Sequence, residues 1–326
     1  MRLVASGSFA AAVAEGREAR RPLLRRWGHL VGVGDVRLDN RAEVTRWSRQ
    51  LSRDACDLEV VLAAVAACGP ECLTQLAGDF ALVLWDASTH RLVAVRDALG
   101  VRSLFYRSSP NLLVLSSSLS ALSADERYDA EYIADFLVSG ASTPQRTIWA
   151  GTSALPAGTI LIQRGTVRSF RRYWCAADFL PEQRVDEPTA IERFRELFTD
   201  AVRCRIGDQG TWAQLSGGLD SSSIVATVQS LREDGRVAHG LAGTVTVVDA
   251  LGEGDETAFS DLVVQRFQLR NEQIANHWLW QEDGRPPLTE EPRLWYPFFA
   301  RDRRLYRTVA DAGGSVLLSG LGADHY

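Results

Sequence analysis

The chain has 326 residues, of which 46% are hydrophobic and 24% are charged, and its formal net charge is −5. This balance is typical of a soluble globular protein with about two domains. A negative net charge predicts no general affinity for nucleic acid, and no apolar run approaches the roughly 18 residues of a membrane span. The N-terminus has no signal-peptide pattern, which favours the cytoplasm.

Short strands are the predicted elements of the first half of the chain. The mildly apolar N-terminus predicts a strand and a turn, and residues 86–90 predict a hairpin turn. Helices are predicted at about 57–67 and 130–138. This mixture predicts an α+β domain of stacked antiparallel sheets with flanking helices. The strands are predicted at 30–36, 80–85, 92–96, 103–106, 112–116, 159–164 and 167–173.

Five cysteines are present, with no Cys-x-x-Cys pair, and every basic residue is an arginine. Cys68 and Cys72 have helical i, i+4 spacing but no histidine nearby. Metal binding is therefore not indicated, and reduced thiols in the core are the better interpretation.

The second half of the chain alternates strands and helices. Residues 179–188 are polar and contain two prolines, which predicts a linker between a domain at 1–178 and a domain at 189–326. After a helix at about 188–204, βα alternation predicts an α/β doubly wound parallel sheet, with its ligand at the carboxyl ends of the strands. The predicted strands are 211–215, 240–247 and 315–318. One predicted helix follows the glycine loop and runs through Leu231, and another lies at 257–268.

Residues 215–222 read Leu-Ser-Gly-Gly-Leu-Asp-Ser-Ser and join a strand to a helix. Gly217 and Gly218 have no Cβ, so an anion can approach the main chain, and the free N–H groups of the helix start favour negative charge. Asp220 indicates Mg²⁺ bridging a carboxylate and phosphate oxygens. The alternative is a serine-rich helix cap. Hydroxyl donors are available from Ser216, Ser221 and Ser222.

A second glycine-rich turn follows the last predicted strand, where residues 319–324 read Ser-Gly-Leu-Gly-Ala-Asp. Its place at a carboxyl strand end predicts a second contact to pyrophosphate and Mg²⁺. Asp255 and Glu256 precede a helix, and two interpretations remain open for them: N-terminal helix acids, or a role near a nucleotide.

The octapeptide at 215–222 resembles the ATP-binding loop of the asparagine synthetase family, whose members form AMP and pyrophosphate while activating a carboxylate. Residues 319–324 resemble the Ser-Gly-Glu-Gly-Ser-Asp block of that family. The resemblance implies ATP and Mg²⁺ as cofactors, and Asp220 and Asp324 as metal ligands and catalytic residues. The implied ATP-binding residues are Leu215, Ser216, Gly217, Gly218, Leu219, Asp220, Ser221, Ser222, Thr244, Ser319 and Gly320.

Four segments of the first half resemble, in order, blocks of the glutaminase domain of asparagine synthetases. That domain uses an N-terminal cysteine as its nucleophile, but Arg2 stands at position 2 and the first cysteine is Cys56. We therefore expect a glutaminase-like domain with no glutaminase nucleophile; a mis-assigned start codon is the alternative. Asp35, Arg37 and Asp57 are expected to be structural, and Arg96 and Asp97 to form an ion pair. The four segments are 34–41, 57–60, 78–82 and 96–106.

Leu321 and His325 stand where asparagine synthetases have glutamates. In this respect the chain resembles β-lactam synthetases and lasso-peptide macrolactam cyclases, in which an amine of the substrate attacks the activated carboxylate. The resemblance implies an AMP-forming amide-bond ligase, most simply a macrolactam cyclase, with a precursor peptide and a leader peptidase as partners. Asparagine synthase and an inactive ATP-binding scaffold are the alternatives. The family continues beyond this point and supplies a catalytic lysine, so a C-terminally truncated chain is expected.

Overall fold

A computed structural model describes residues 2–6, 8–13, 23–48, 51–52, 54–122, 127–140, 143–180, 185–248, 256–276, 289–292 and 296–322. The chain divides into two compact units. Unit 1 comprises Met1–Leu180 with Thr289–Pro292, and unit 2 comprises Pro181–Leu288 with Arg293–Tyr326. The first break falls at Leu180, inside the segment predicted to be a linker. Within the described part, no helix is long and apolar enough to cross a membrane.

Unit 1 contains three antiparallel sheets, as the sequence predicted. The largest has six strands in the order β11-β10-β6-β5-β4-β3, the second has the order β8-β7-β9, and β1 pairs with β2. The strands are β1 Arg2–Ser6, β2 Phe9–Val13, β3 Leu24–Trp27, β4 Leu30–Leu38, β5 Gly78–Asp86, β6 Arg91–Arg96, β7 Phe105–Ser109, β8 Leu112–Ser116, β9 Thr152–Ala154, β10 Thr159–Arg164 and β11 Val167–Arg172.

The six-stranded sheet of unit 1 is covered on both faces, because its strands alternate their apolar side chains between two cores. One face packs against a helix through a core that includes Leu58, Leu62 and Phe80. The other face meets the three-stranded sheet through Leu104, Leu161 and their neighbours. Unit 1 is therefore a sandwich of stacked sheets with flanking helices. Its helices are α1 Arg41–Thr45, α2 Asp57–Cys68 and α3 Ala130–Ser139, with 3₁₀ turns at Pro70–Gln75, Ser120–Leu122 and Ala176–Phe179.

The hairpin predicted across residues 86–90 is confirmed, with β5 and β6 pairing from Asp86 and Arg91 onward. The Asp86 carboxylate accepts hydrogen bonds from the backbone and hydroxyl groups of Ser88 and Thr89. Partial burial acts to raise the pKa of Asp86, but these hydrogen bonds outweigh it and lower the pKa to about 2. The turn is therefore fixed by a carboxylate that stays ionised well below neutral pH.

Ion pairs in unit 1 account for the three charged residues that the sequence assigned a structural role. The pairs of Asp35 and Arg37 connect β4 to neighbouring segments, and the pair of Asp57 connects α2 to α1. The pairs are Asp35 with Arg102, Arg37 with Asp39 and Asp79, and Asp57 with Arg41.

The predicted ion pair between Arg96 and Asp97 is wrong, because both side chains bind main-chain groups instead. The Asp97 side chain is fully buried, where an unpaired carboxylate would be very costly. It accepts hydrogen bonds of 2.9–3.3 Å from the N–H groups of Phe80, Leu99, Val101 and Arg102. The Arg96 guanidinium donates to the carbonyl oxygens of Gly100, Arg102 and Leu155.

All five cysteines are free thiols, as predicted, but they are not all in the core. Cys72 is buried, and burial raises the pKa of its thiol to about 12. Cys68, at the end of α2, is exposed. The helical spacing of the two residues is interrupted because α2 ends at Cys68 and a 3₁₀ turn carries Cys72.

A short segment from late in the chain belongs to unit 1. Thr289–Pro292 was predicted to lie in the second domain. The Glu290 carboxylate accepts hydrogen bonds from Ser118 Oγ at 2.5 Å, Ser120 Oγ at 2.7 Å and Leu119 N at 2.9 Å. It therefore satisfies donors at the start of the Ser120–Leu122 turn, and these hydrogen bonds lower the pKa of Glu290 against the opposing effect of its burial.

Unit 2 is built on a four-stranded, all-parallel sheet with the order β14-β13-β12-β15. Helices cover both faces, which confirms the predicted doubly wound architecture. The strands are β12 Thr211–Gln214, β13 Gly243–Val248, β14 Asn271–Ala275 and β15 Val316–Leu318. The helices are α4 Glu187–Arg203, α5 Leu219–Glu233, α6 Thr257–Phe267 and α7 Phe299–Asp311, with a 3₁₀ turn at Tyr296–Phe298.

Side-chain alternation along β12 separates the two cores of unit 2. Ala213 and Leu215 pack with the α5 residues Val225 and Val228 on one face. Trp212 packs on the other face with α7, against Leu305 and Val309. The chain reverses its direction across the sheet at β12, because α5 leads to β13 on one side whereas β15 pairs on the other. The gap between β12 and β15 is therefore the topological switch point, where ligands bind in such sheets.

The linker predicted at 179–188 is shorter than expected at its C-terminal end. Helix α4 begins at Glu187, so Pro188 lies in its first turn. Proline is tolerated there because the backbone N–H that it lacks would have no partner within the helix. The Asp186 side chain accepts a hydrogen bond from Thr189 N and caps the helix.

Candidate functional site

The loop at 215–222 joins the end of β12 to the start of α5, at the switch point. Helix α5 has Gly218 as its N-cap residue, and no side chain of the described residues caps it. The first N–H groups of the helix therefore stay available. The hydroxyls of Ser216 and Ser221 lie 3.1 Å apart and bind each other and the loop main chain. The serine-rich helix cap offered as an alternative is not what this geometry shows.

Gly217 is the residue at which this loop packs most closely against the start of α6. Its φ is +95°, in the region that favours glycine. A Cβ at this position would lie 2.8 Å from Glu256 O, Phe259 Cβ and Ser260 N. The start of α6 therefore packs directly on the loop, and only glycine fits there without displacing it.

Ser222 adds an unsatisfied donor to the loop. Its Oγ is buried and makes no hydrogen bond to any residue that the structure describes. Buried polar groups without a partner are rare, and each one calls for an explanation. The hydroxyl has almost no exposed surface, so the donors that fit an anion at this loop are the free N–H groups at the start of α5.

The second glycine-rich turn meets the first loop. It follows β15, which pairs with β12 in parallel. A Cβ on Gly320 would lie 3.0 Å from Asp220 Cβ and 3.2 Å from Ser221 N, so the turn lies against the first residues of α5. Two glycine-containing segments, predicted separately, are thus brought together on one end of the sheet, within unit 2.

Asp220 lies in the first turn of α5 and is half-buried between the two glycine segments. Asp324, the second predicted metal ligand, lies outside the described residues. Among the residues that are described, no group of three or more His, Cys, Asp or Glu side chains could hold a metal ion. Asp220 is thus the one predicted metal ligand whose surroundings are defined.

Two predicted ATP-binding residues do not present their side chains to the loop. Leu215 is fully buried in the core shared with α5. Thr244 is also fully buried, and its hydroxyl donates to Asn271 Oδ1 at 3.0 Å. The register places Thr244 beside Ala213, near the start of β13 and before the carboxyl end of the sheet. Thr244 thus stays a predicted ATP-binding residue, but its buried side chain does not face the loop.

Glu256 is a candidate that the predicted site did not include. It occupies the N-cap position of α6, but its side chain makes no capping hydrogen bond. Its Oε2 is 3.9 Å from the position a Cβ on Gly218 would take. Of the two interpretations that the sequence left open for Glu256, the structure favours a place beside the loop. Asp255 lies outside the described residues.

The remaining predicted residues fall where the loops meet. Leu219 and Leu321 are strongly exposed, at 83% and 85%. Ser319 is exposed at the tip of β15, and its Oγ donates to Gln214 Oε1 at 3.3 Å. The site is therefore a polar, glycine-lined cradle bordered by two exposed leucines.

The fold and these loops define a two-part protein, in which an antiparallel sandwich like that of glutamine amidotransferases precedes a parallel-sheet unit with a phosphate-type loop. Models of known families agree: the glutamine amidotransferase domain matches residues 31–174, and asparagine synthase matches residues 193–326. The chain therefore combines, in this order, a domain similar to glutamine amidotransferases and a domain similar to asparagine synthases.

Three relatives illustrate the extent of the similarity. The chain is 31% identical over 206 residues to asparagine synthetase (glutamine-hydrolyzing) 3 of Bacillus subtilis, covering 61% of this chain and 32% of that protein. Asparagine synthetase (glutamine-hydrolyzing) 2 of the same organism is 26% identical over 334 residues, covering 94% and 44%. Amidase chyE of Penicillium rubens is 29% identical over 183 residues, covering 55% and 27%. The chain spans less than half the length of each of these relatives.

Proposed function

We propose that this chain belongs to an AMP-forming, ATP-dependent amide-bond ligase. The observation that carries the proposal is the meeting of Gly320 with Asp220 at the uncapped start of α5. The ATP phosphates bind over residues 216–222. Their oxygens accept hydrogen bonds from the free N–H groups of α5. Asp220 and Asp324 would hold Mg²⁺, and the ion would supply charge neutralisation for the departing pyrophosphate.

The proposed reaction has two steps, the adenylation of a carboxylate and the attack of an amine on the activated acyl group. A substrate carboxylate oxygen attacks the α-phosphorus of ATP, the bond to the bridging oxygen breaks, and pyrophosphate leaves with its electron pair. An amine then attacks the acyl carbon, AMP leaves, and the amine proton passes to solvent. The fixed N–H groups of α5 contribute by stabilising charge that develops on the phosphates.

The source of the amine is proposed to be the substrate itself, as in a macrolactam cyclase acting on a precursor peptide delivered with a leader peptidase. Leu321 supports this choice. A leucine, unlike a glutamate, can neither orient an ammonium ion nor take its proton, and this leucine is exposed beside the loop. Asparagine formation, named for several relatives, is the second candidate, since the chain matches asparagine synthetase 2 along most of its length.

The test uses the natural full-length protein, with AMP and pyrophosphate release as the readout. Aspartate is supplied with ammonia, and then with glutamine in its place. We expect Mg-ATP binding but no AMP release in either mixture. AMP and asparagine formed together would establish an asparagine synthetase and overturn the interpretation of Leu321. Failure of the protein to bind Mg-ATP would overturn the proposed ligase.

Replacing Gly217 by alanine is expected to weaken Mg-ATP binding by about tenfold or more, because the new Cβ collides with the start of α6 and a positive φ disfavours alanine. Isothermal titration calorimetry measures the change. Gly235→Ala is the matched control, since Gly235 also has a positive φ, of +69°, but open space around it. Equal losses in the two variants would show that close approach at Gly217 is irrelevant.

A further inference from the structure

Gln214 and Ser319 face each other at the carboxyl ends of β12 and β15. The parallel register aligns Trp212 with Leu317 and Ala213 with Leu318, so the next pair along the two strands is Gln214 and Ser319. Their side chains are in contact, with Ser319 Oγ donating to Gln214 Oε1 at 3.3 Å.

Strand alternation explains why these two side chains meet. Trp212 and Leu317 belong to the core on the α7 face. Side chains two residues further along a strand point to the same face. Gln214 and Ser319 therefore lie together on the α7 face, just beyond the last apolar layer, where a half-buried amide can be satisfied by a hydroxyl.

The Ser319 hydroxyl connects this pair to the second glycine turn. A serine hydroxyl has one proton and two lone pairs. Its proton goes to Gln214, and the oxygen accepts a hydrogen bond of 3.1 Å from Leu321 N. The Gln214 amide oxygen thus fixes the direction of the hydroxyl, and the hydroxyl fixes the turn around Gly320.

The same turn lies against the nucleotide loop, since a Cβ on Gly320 would be 3.0 Å from Asp220 Cβ. A contiguous path of contacts therefore runs from Gln214 through Ser319 and Gly320 to Asp220. The Gln214 amide accepts the hydrogen bond without adding a charge near Asp220. A carboxylate at position 214 would instead add negative charge near the proposed phosphates.

We propose that Gln214 is a positioning residue for the nucleotide site. It does not touch ATP; it holds the Ser319–Leu321 turn against Asp220 and so keeps the two glycine segments in register. This inference rests on the proposed function, because the turn is useful only if Mg-ATP binds at the loop.

The experiment measures Mg-ATP affinity of the natural full-length protein by calorimetry, together with the thermal unfolding of the nucleotide-free protein. Gln214→Met keeps the size of the side chain but removes the acceptor oxygen. We expect about three- to tenfold weaker Mg-ATP binding, because the turn is no longer held in the arrangement that binds the nucleotide. The unfolding temperature should fall by only a few degrees, about the effect of losing one hydrogen bond. Gln273→Met is the matched control, an exposed glutamine on β14, and should bind as the wild type does.

A double-mutant cycle separates positioning from a merely structural effect. The substitutions Gln214→Met and Ser319→Ala remove the same hydrogen bond. The double variant should therefore bind Mg-ATP no more weakly than the weaker-binding single variant. Additive losses, or wild-type affinity in Gln214→Met, would overturn the inference while leaving the proposed function standing. A wild type that fails to bind Mg-ATP would overturn both.

Discussion

Replacing Asp220 by alanine is expected to lower AMP-forming turnover of the natural full-length protein by about a hundredfold to a thousandfold. Asp220 lies in the first turn of α5, against Gly320 and beside the loop proposed to hold the ATP phosphates. If Asp220 holds Mg²⁺ as proposed, the loss of its carboxylate removes several kcal/mol of charge stabilisation from the departing pyrophosphate. The measurement is the steady-state release of pyrophosphate at saturating ATP, with the proposed precursor peptide as the substrate.

The fold of this variant is expected to stay intact, because Asp220 is half-buried and its side chain is outside the apolar cores. Circular dichroism checks this. Asp208→Ala provides the matched control, since Asp208 is exposed in unit 2 and lies outside the loop. Unchanged turnover in Asp220→Ala would refute the metal-ligand assignment.

Replacing Asp97 by alanine is expected to destabilise unit 1 by about 3–5 kcal/mol. Its fully buried carboxylate accepts hydrogen bonds from four main-chain N–H groups, in β5 and in the turn after β6. Each donor left unpaired in the interior costs about 1–3 kcal/mol, and water can reach only part of them. Urea-induced unfolding, followed by tryptophan fluorescence, measures the loss.

Asp54→Ala serves as the control for this second substitution, because Asp54 is an exposed aspartate of the same unit. Its free energy of unfolding should change by less than about 0.5 kcal/mol. A stability of Asp97→Ala close to that of the control would mean that the buried hydrogen bonds contribute little. A Mg-ATP affinity that is retained in Asp97→Ala would agree with a role confined to unit 1.

The sequence predicted the elements whose apolar pattern is strong and missed those whose pattern is polar. Strand β14, Asn-Glu-Gln-Ile-Ala, has one buried residue, Ile274, and nothing in its composition signals a strand. Helix α7 was also missed, since six charged residues obscure its narrow apolar face of Ala300, Leu305 and Val309. Both elements are held by the neighbours they pack against, which local propensity does not contain.

The part of the candidate site that depends on local backbone geometry could also be predicted from the sequence. The glycine and serine spacing at 215–222 reports local backbone geometry, so the loop could be found from the sequence. The burial of Thr244 depends on the strands and helices packed around it, which the sequence does not specify. Gln214 was not identified, because its role depends on the β12–β15 register, which joins residues about a hundred positions apart.

The return of Thr289–Pro292 to unit 1 bears on how the protein can be dissected. The main chain passes between the units more than once, so a single cut near residue 180 does not yield two self-sufficient pieces. A fragment beginning at Pro181 would carry Glu290 without Ser118, Leu119 and Ser120, the donors that satisfy its carboxylate. A domain deletion would thus leave the Glu290 carboxylate without these hydrogen-bond donors, whereas point substitutions elsewhere keep them in place.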